Sequence, residues 1–255
     1  MNMISAVGWA ALGTGFIFLM TLLGTAAVFF FSDEIHPNSQ NVILGFAGGV
    51  MIAAAVWSLL LPAIERSADL PVPCWFPPAV GILLGVALLA GLDAMILRLA
   101  PQQVCSDPAC RQNLLLFTAI TLHNIPEGMA VGLAFALAGT GDGIAAACAL
   151  ALGIGIQNFP EGAAISLPLF QAGLSRGRSF LVGVLSGAVE PIFGMLAFFA
   201  VAGVSALMPW MLSFAAGAML YVVVEELVPQ AHGKSGTLGF ILGFLVMMIL
   251  DVALG

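Results

Sequence analysis

Charged side chains are scarce in this chain. Only 7% of its 255 residues are charged, 61% are hydrophobic, and the mean hydropathy is +1.12. A soluble domain of this length carries far more surface charge, so the composition excludes a soluble protein and indicates an integral membrane protein. The 6 lysine and arginine residues give nucleic-acid binding no electrostatic support. The 4 cysteines are too few and too scattered for a disulfide framework.

Two further absences narrow the function. The chain has no His-Glu-x-x-His metal motif, and His123 is its only histidine inside an apolar run. An intramembrane metalloenzyme, such as a protease, would need an open coordination position and a general base, so it stays a remote alternative. The sequence also has no ATP-binding motif, which leaves gradients of metal, protons or voltage to drive any transport.

Eight apolar segments reach the ~20 residues that one helix needs to cross the bilayer core. They cover approximately residues 8–31, 41–64, 77–99, 112–138, 143–170, 180–203, 208–230 and 236–254. Polar, proline-rich or glycine-rich connectors separate them. The sequence therefore predicts an all-α integral membrane protein, in which residues 1–255 form a single domain of eight transmembrane helices.

The basic residues predict the orientation of these helices. If the N-terminus is outside, the inner loops hold Arg98, Arg111, Arg176, Arg178 and Lys234. The outer loops then hold only Arg66. Cytoplasmic loops carry an excess of lysine and arginine, so this distribution favours an N-terminus and a C-terminus that both lie outside. We expect the membrane to be a bacterial plasma (inner) membrane.

Two related polar motifs interrupt the fourth and fifth apolar segments. They read His123-Asn124-Ile125-Pro126-Glu127-Gly128 and Gln157-Asn158-Phe159-Pro160-Glu161-Gly162. An ionisable group at that depth costs on the order of 2.5–3.5 kcal/mol, so such groups usually mark an ion or substrate path. Residues i and i+4 of a helix share a face, so His123 lies beside Glu127 and Gln157 lies beside Glu161.

Both motifs are predicted to lie near the bilayer centre. Each begins about eleven to fifteen residues into its segment, or ~16–23 Å along a helix. The short glycine-rich turn over 139–143 makes the two segments antiparallel neighbours, so the motifs can face each other. Glu190 reaches a similar depth in the sixth segment.

The residues at this depth indicate a site for a divalent cation. They comprise three carboxylates, one imidazole and several amide oxygens. Imidazole and carboxylate ligands suit zinc and iron(II), with manganese and cadmium as further options. Three anions in a low-dielectric position repel one another, and a bound divalent ion relieves that repulsion while displacing protons. A proton-coupled carrier of a small organic solute stays open, with carboxylates that relay protons and amides that bind substrate.

Two other segments repeat a pattern of small residues. Residues 46–51 of the second segment read Phe-Ala-Gly-Gly-Val-Met, and residues 214–219 of the seventh read Phe-Ala-Ala-Gly-Ala-Met. With eight spans, these two segments run in opposite directions, as do the fourth and fifth. Inverted repeats around a central site are a common construction in transporters, so we predict that arrangement with helices four and five at the centre.

The paired motifs resemble those of the Zrt/Irt-like (ZIP) metal-ion transporters. The residues over 155–162 and 166–168 look most like the GufA-type branch of that family. The resemblance implies an eight-helix transporter that moves Zn²⁺, or a related divalent metal, into the cytosol through a binuclear site by alternating access. Helices one, four, five and six would slide as a unit against helices two, three, seven and eight. The metal is then the substrate, and no organic cofactor is expected.

The same resemblance implies the metal ligands. The first metal position would use His123, Glu127, Gln157 and Glu161. The second would use Asn124, Asn158 and Glu190, with Glu127 and Glu161 as bridging ligands. Some relatives have aspartate where this chain has Asn158. Three carboxylates leave a net charge of +1 with two divalent ions and −1 with one, so we expect the second position to be the weaker one.

Acidic residues towards the helix ends suggest a path to and from this site. The predicted entrance residues are Met51, Ser58, Glu65 and Asp251. The predicted exit residues are Asp93, Glu225 and Glu226. Acids at both mouths would concentrate cations and let them leave in steps, although acids near helix ends are often simply solvated.

Cys105 and Cys110 lie in a loop where they would hold a soft metal, form a redox pair or have no special role. The sequence also leaves a homodimer open.

Overall fold

The computed structural model describes residues 3–30, 37–103, 108–139, 143–171, 173–202 and 204–254. Within these ranges the backbone forms helices and turns, without a strand. The predicted all-α class is therefore confirmed. Eight helices, numbered α1 to α8 along the chain, carry the eight predicted spans.

Four of the eight helices are continuous α-helices. They are α3 (Phe76–Gln103), α4 (Pro108–Ala138), α5 (Ile144–Gln171) and α8 (Gly233–Leu254). Helix α1 (Met3–Thr25) ends in a 3₁₀ turn, Ala26–Phe29. Helix α6 consists of Arg176–Gly187 and Val189–Ala202, which meet at Ala188.

Helices α2 and α7 each contain a π turn. Helix α2 runs through Pro37–Ala54, the π turn Ala55–Leu60 and Leu61–Ser67. Helix α7 runs through Met208–Val222, the π turn Val223–Leu227 and Val228–Gln230.

A proline follows the break in α6 and each of the two π turns. Pro191 has no N–H to offer the carbonyl of Gly187, and α6 breaks at that point. Pro62 and Pro229 likewise leave the carbonyls of Ser58 and Glu225 without their usual helical partner, and both carbonyls belong to the π turns. Single π turns of this kind are frequent at functional sites.

Seven helices within the described ranges are long and apolar enough to cross a membrane. The remaining one, α4, is 31 residues long and carries the His-Asn-x-Pro-Glu-Gly motif. A polar motif in a spanning helix is tolerated when it faces the bundle interior, and the motif side chains of α4 are buried.

The helix pairing follows the predicted inverted repeat. The most extensive contacts join α2 to α8, α3 to α7, α1 to α5 and α4 to α6. Exchanging α1 with α6, α2 with α7, α3 with α8 and α4 with α5 reproduces the same four pairs. The π turns obey this exchange as well, because Ala55 follows Phe46 by nine residues and Val223 follows Phe214 by nine.

The backbones of the pairs α2/α8 and α3/α7 pack closely against each other. A Cβ atom on Gly49 would collide with the carbonyl of Phe240, and one on Gly85 would collide with the carbonyl of Phe214. Small residues allow such approach between membrane helices. All four extensive pairs fall within two groups of helices, the first group (α1, α4, α5, α6) and the second group (α2, α3, α7, α8).

Candidate metal site

The two polar motifs meet inside the bundle. The side chain of Gln157 on α5 donates a 2.5 Å hydrogen bond from Nε2 to Glu127 Oε1 on α4. Both residues have 0% exposure. The carboxyl groups of Glu161 and Glu190 also lie near that of Glu127. Helices α4, α5 and α6 therefore bring the three predicted carboxylates into one neighbourhood.

Several oxygen atoms at this place are buried without a hydrogen-bond partner. They are Glu127 Oε2, Gln157 Oε1, Asn158 Oδ1, Glu161 Oε1 and Glu190 Oε2. Buried polar atoms are nearly always satisfied, and each unsatisfied one costs free energy of about 1–3 kcal/mol or more. All five atoms are acceptors, the kind of partner that a bound cation needs.

A second set of contacts surrounds Glu190. The hydroxyl of Thr21 on α1 donates a 2.7 Å hydrogen bond from Oγ1 to Glu190 Oε1. Asn158 Nδ2 donates to Thr21 Oγ1 at 3.1 Å, and Asn124 Nδ2 donates to Ser186 Oγ at 3.1 Å. Asn158 and Glu190 thus share Thr21 as a partner, and Asn124 contacts α6 through Ser186, one helical turn before Glu190.

Thr21 and Ser186 were missed by the sequence interpretation. Both are small hydroxyl residues in apolar segments, where such residues usually bond to their own helix backbone. Their only sequence signal is their position at the depth of the motifs.

The imidazole of His123 contacts a helix of the second group. Its Nε2 atom lies 3.6 Å from Glu226 Oε2 on α7, across the boundary between the two helix groups. In the part of the chain that the structure describes, no three histidine, cysteine, aspartate or glutamate side chains are arranged to hold a metal ion by themselves. Amide oxygens from Gln157 and the two asparagines would therefore have to complete any ligand set here.

Three of the four predicted entrance residues line one cavity of about 280 Å³ between α2, α4, α5 and α8. They are Ser58, Glu65 and Asp251. Ser58 donates a 2.6 Å hydrogen bond from Oγ to Asp251 Oδ1, and the buried Asp251 Oδ2 has no hydrogen-bond partner. Met51 does not line this cavity; it packs in the apolar core with 0% exposure.

The three predicted exit residues also come together. Tyr221 on α7 donates a hydrogen bond from its hydroxyl to Asp93 Oδ2 on α3, at 3.4 Å. Asp93 and Glu225 also lie near Glu226. Tyr221 was not predicted, and its place on an apolar segment gave no signal beyond its spacing of four from Glu225.

Two predicted features cannot be placed. Cys105 lies outside the described residues, and Cys110 belongs to α4 at a position where its side chain is not described. The side chains of Arg98 and Arg111, which contribute to the predicted orientation, are likewise not described.

Membrane-spanning helices that enclose unpaired acidic and amide oxygens are typical of an ion-transporting membrane protein. A family model described as ZIP Zinc transporter matches residues 98–251 of this chain. The chain belongs to the ZIP family. The predicted resemblance is confirmed, and membership in a family of transporters rules out the metalloenzyme alternative.

Relatives match most of the chain. The human protein Zinc transporter ZIP11 is 37% identical, and the match covers 98% of this chain and 98% of the relative. Zinc transporter ZIPB of Bordetella bronchiseptica is 38% identical, with coverage of 98% and 82%. Zinc transporter GufA of Myxococcus xanthus is 36% identical, with coverage of 88% and 91%, in keeping with the predicted GufA-type branch.

Proposed function

We propose that this protein carries divalent metal ions, first of all Zn²⁺, into the cytosol through the site between α4, α5 and α6. The observation that supports it most directly is the group of five buried acceptor oxygens without partners, all contributed by the two motifs and Glu190. The names of the relatives support zinc as the substrate. Fe²⁺, Mn²⁺ and Cd²⁺ are further candidates, since carboxylate, amide and imidazole ligands suit them too.

The first metal position would be built from His123, Glu127, Gln157 and Glu161. For this, His123 has to turn from Glu226 towards Glu127, and Gln157 has to release its amide proton from Glu127 Oε1. Zinc supplies the energy for both changes, because it replaces a single ion pair and a single hydrogen bond with several direct ligand bonds.

The second metal position would be built from Asn124, Asn158 and Glu190, with Glu127 or Glu161 as bridging ligands. It contains a single carboxylate of its own, whereas the first position has two. The second ion is therefore held more weakly than the first.

The path would begin at the cavity lined by Ser58, Glu65 and Asp251. It would leave past Asp93, Glu225 and Glu226. Because His123 already lies 3.6 Å from Glu226, one rotation of the imidazole would transfer a ligand from the site to the acidic cluster. Orientation by the positive-inside rule then puts the cavity outside, the acidic cluster inside and both termini outside a bacterial inner membrane.

Access would alternate by movement of the first helix group against the second. The extensive pairs lie inside the groups, and smaller contacts connect them. Most site residues belong to the first group. The opening residues Ser58, Glu65, Asp93, Glu225, Glu226 and Asp251 belong to the second.

Uptake of radiolabelled zinc into proteoliposomes tests this function. We expect Glu127→Gln to abolish uptake, because it removes a shared carboxylate while keeping the side-chain shape. Ser67→Ala is the control: Ser67 is fully buried, but its Oγ donates to the carbonyl of Ala63 in its own helix, at 2.7 Å. Unchanged zinc uptake by the folded Glu127→Gln protein would overturn the proposal, and proton-coupled uptake of an organic solute without metal would favour the other interpretation.

A further inference from the structure

Thr21 occupies a position between the two halves of the site. It lies on α1 with 2% exposure, and its hydroxyl connects α5 to α6. Its Oγ1 atom lies 2.7 Å from Glu190 Oε1, 3.1 Å from Asn158 Nδ2 and 3.3 Å from the carbonyl of Ile17. Three polar partners surround one hydroxyl group.

The chemistry of these groups fixes the direction of each hydrogen bond. A hydroxyl has a single proton, and the shorter contact, to Glu190 Oε1, takes it in preference to the Ile17 carbonyl. The lone pair of Thr21 Oγ1 must then accept from Asn158 Nδ2. As a result, Asn158 Oδ1 points away from Thr21, and both it and Glu190 Oε2 remain buried acceptors without partners.

Thr21 and Glu190 occupy equivalent positions in the inverted repeat. A Cβ atom on Gly162, which ends the α5 motif, would collide with the carbonyl of Thr21. A Cβ atom on Gly128, which ends the α4 motif, would collide with the carbonyl of Glu190. Thr21 on α1 thus has the same relation to its motif as Glu190 on α6 has to the other.

Other buried threonines of α1 behave differently. Thr14 donates to the carbonyls of Ala10 at 2.8 Å and Ala11 at 3.4 Å, and Thr25 donates to the carbonyl of Thr21 at 2.8 Å. These are the ordinary bonds of a threonine to its own helix. In contrast, the Thr21 hydroxyl has two partners on other helices.

We propose that Thr21 is a positioning residue for the second metal position, because its hydroxyl holds one oxygen of Glu190 and orients the amide of Asn158 so that Glu190 Oε2 and Asn158 Oδ1 face the ion. The inference rests on the proposed function of the same site. It assigns to α1 a part in metal binding, although α1 contributes no acidic side chain to the described site.

Equilibrium binding separates this role from a general effect on folding. The purified protein in detergent is titrated with Zn²⁺, and bound zinc is counted by mass spectrometry of the metal. We expect Thr21→Val to weaken the second ion about tenfold and to leave the first ion unchanged, since valine keeps the shape but loses the hydroxyl. Thr21→Ser should restore second-ion affinity, and Thr14→Val is the matched control on the same helix.

Each outcome is decisive. The inference is overturned if folded Thr21→Val binds the second ion as tightly as the wild type does. It is also overturned if Thr14→Val loses as much affinity as Thr21→Val, or if Thr21→Ser does not restore binding. A wild-type protein that binds only one zinc ion would overturn it as well. If the wild type binds no zinc, or if Glu127→Gln binds and transports zinc normally, the proposed function itself fails instead.

Discussion

His123 and Glu226 form a contact between the two helix groups, with 3.6 Å between Nε2 and Oε2. His123 belongs to the α4 motif, and Glu226 belongs to the π turn of α7. The imidazole proposed as a ligand in the first metal position thus also faces the acidic cluster proposed as the exit.

Glu226→Gln should slow release more than it changes binding. The amide cannot attract His123 or a departing cation by charge, so we expect zinc uptake to fall about tenfold, or ~1.4 kcal/mol in the barrier. Equilibrium zinc affinity should stay near wild type. Glu225→Gln is the control: Glu225 is exposed and next in sequence, and it should have the smaller effect on uptake. Equal losses in both variants would contradict the direct role of Glu226.

Asn158→Asp should strengthen the second position. It adds a fourth carboxylate, which would balance the charge of two divalent ions. We expect the second zinc ion to bind at least about tenfold more tightly, or ~1.4 kcal/mol. Calorimetric titration with Zn²⁺ measures this. Gln157→Glu is the control, because it adds the same charge at the first position. We expect only Asn158→Asp to bind the second ion more tightly. If both variants or neither does so, the assignment of Asn158 to the second position is contradicted.

Asp251→Asn should impair capture of zinc from outside. The change removes charge from the cavity but keeps an acceptor for Ser58 Oγ. We expect the zinc concentration for half-maximal uptake to rise about three- to tenfold, because a local negative charge raises the concentration of cations at an opening. Equilibrium affinity at the central site should not change. A lower maximal rate with an unchanged half-maximal concentration would count against an entrance role.

Gly85→Ala should destabilise the α3/α7 pair. Its Cβ would meet the backbone of Phe214 and Ala218, and overpacking of this kind costs about 1–3 kcal/mol. Gly91 lies on the same helix, and a Cβ atom added there would have no atom within 4 Å, so Gly91→Ala is a matched control with no expected loss. Thermal unfolding in detergent compares the two variants. Equal melting temperatures would show that the helices can separate without penalty.

Much of the site followed from the sequence, because ionisable residues in apolar segments are rare and have few explanations. The structure brings the two motifs and Glu190 together, and three of the four residues predicted for the entrance line one cavity, while their roles in transport stay predictions. Thr21 and Tyr221 did not follow, since a hydroxyl shows no chemistry in a sequence until a partner from another helix faces it. Met51 seemed suitable for the entrance by its spacing of seven from Ser58, but the π turn that begins at Ala55 disturbs that helical spacing.

The two π turns have a mechanical consequence. Ser58 lies in one and Glu225 and Glu226 lie in the other, so residues proposed for the entrance and for the exit lie where the regular α-helical hydrogen-bond pattern is interrupted. The preceding turns of both helices pack closely against their partner helices through glycine contacts. Each of α2 and α7 therefore has closely packed turns followed by a π turn with an interrupted hydrogen-bond pattern. Because the two π turns occupy equivalent positions in the repeat, opening towards either side of the membrane would bend a helix at a π turn.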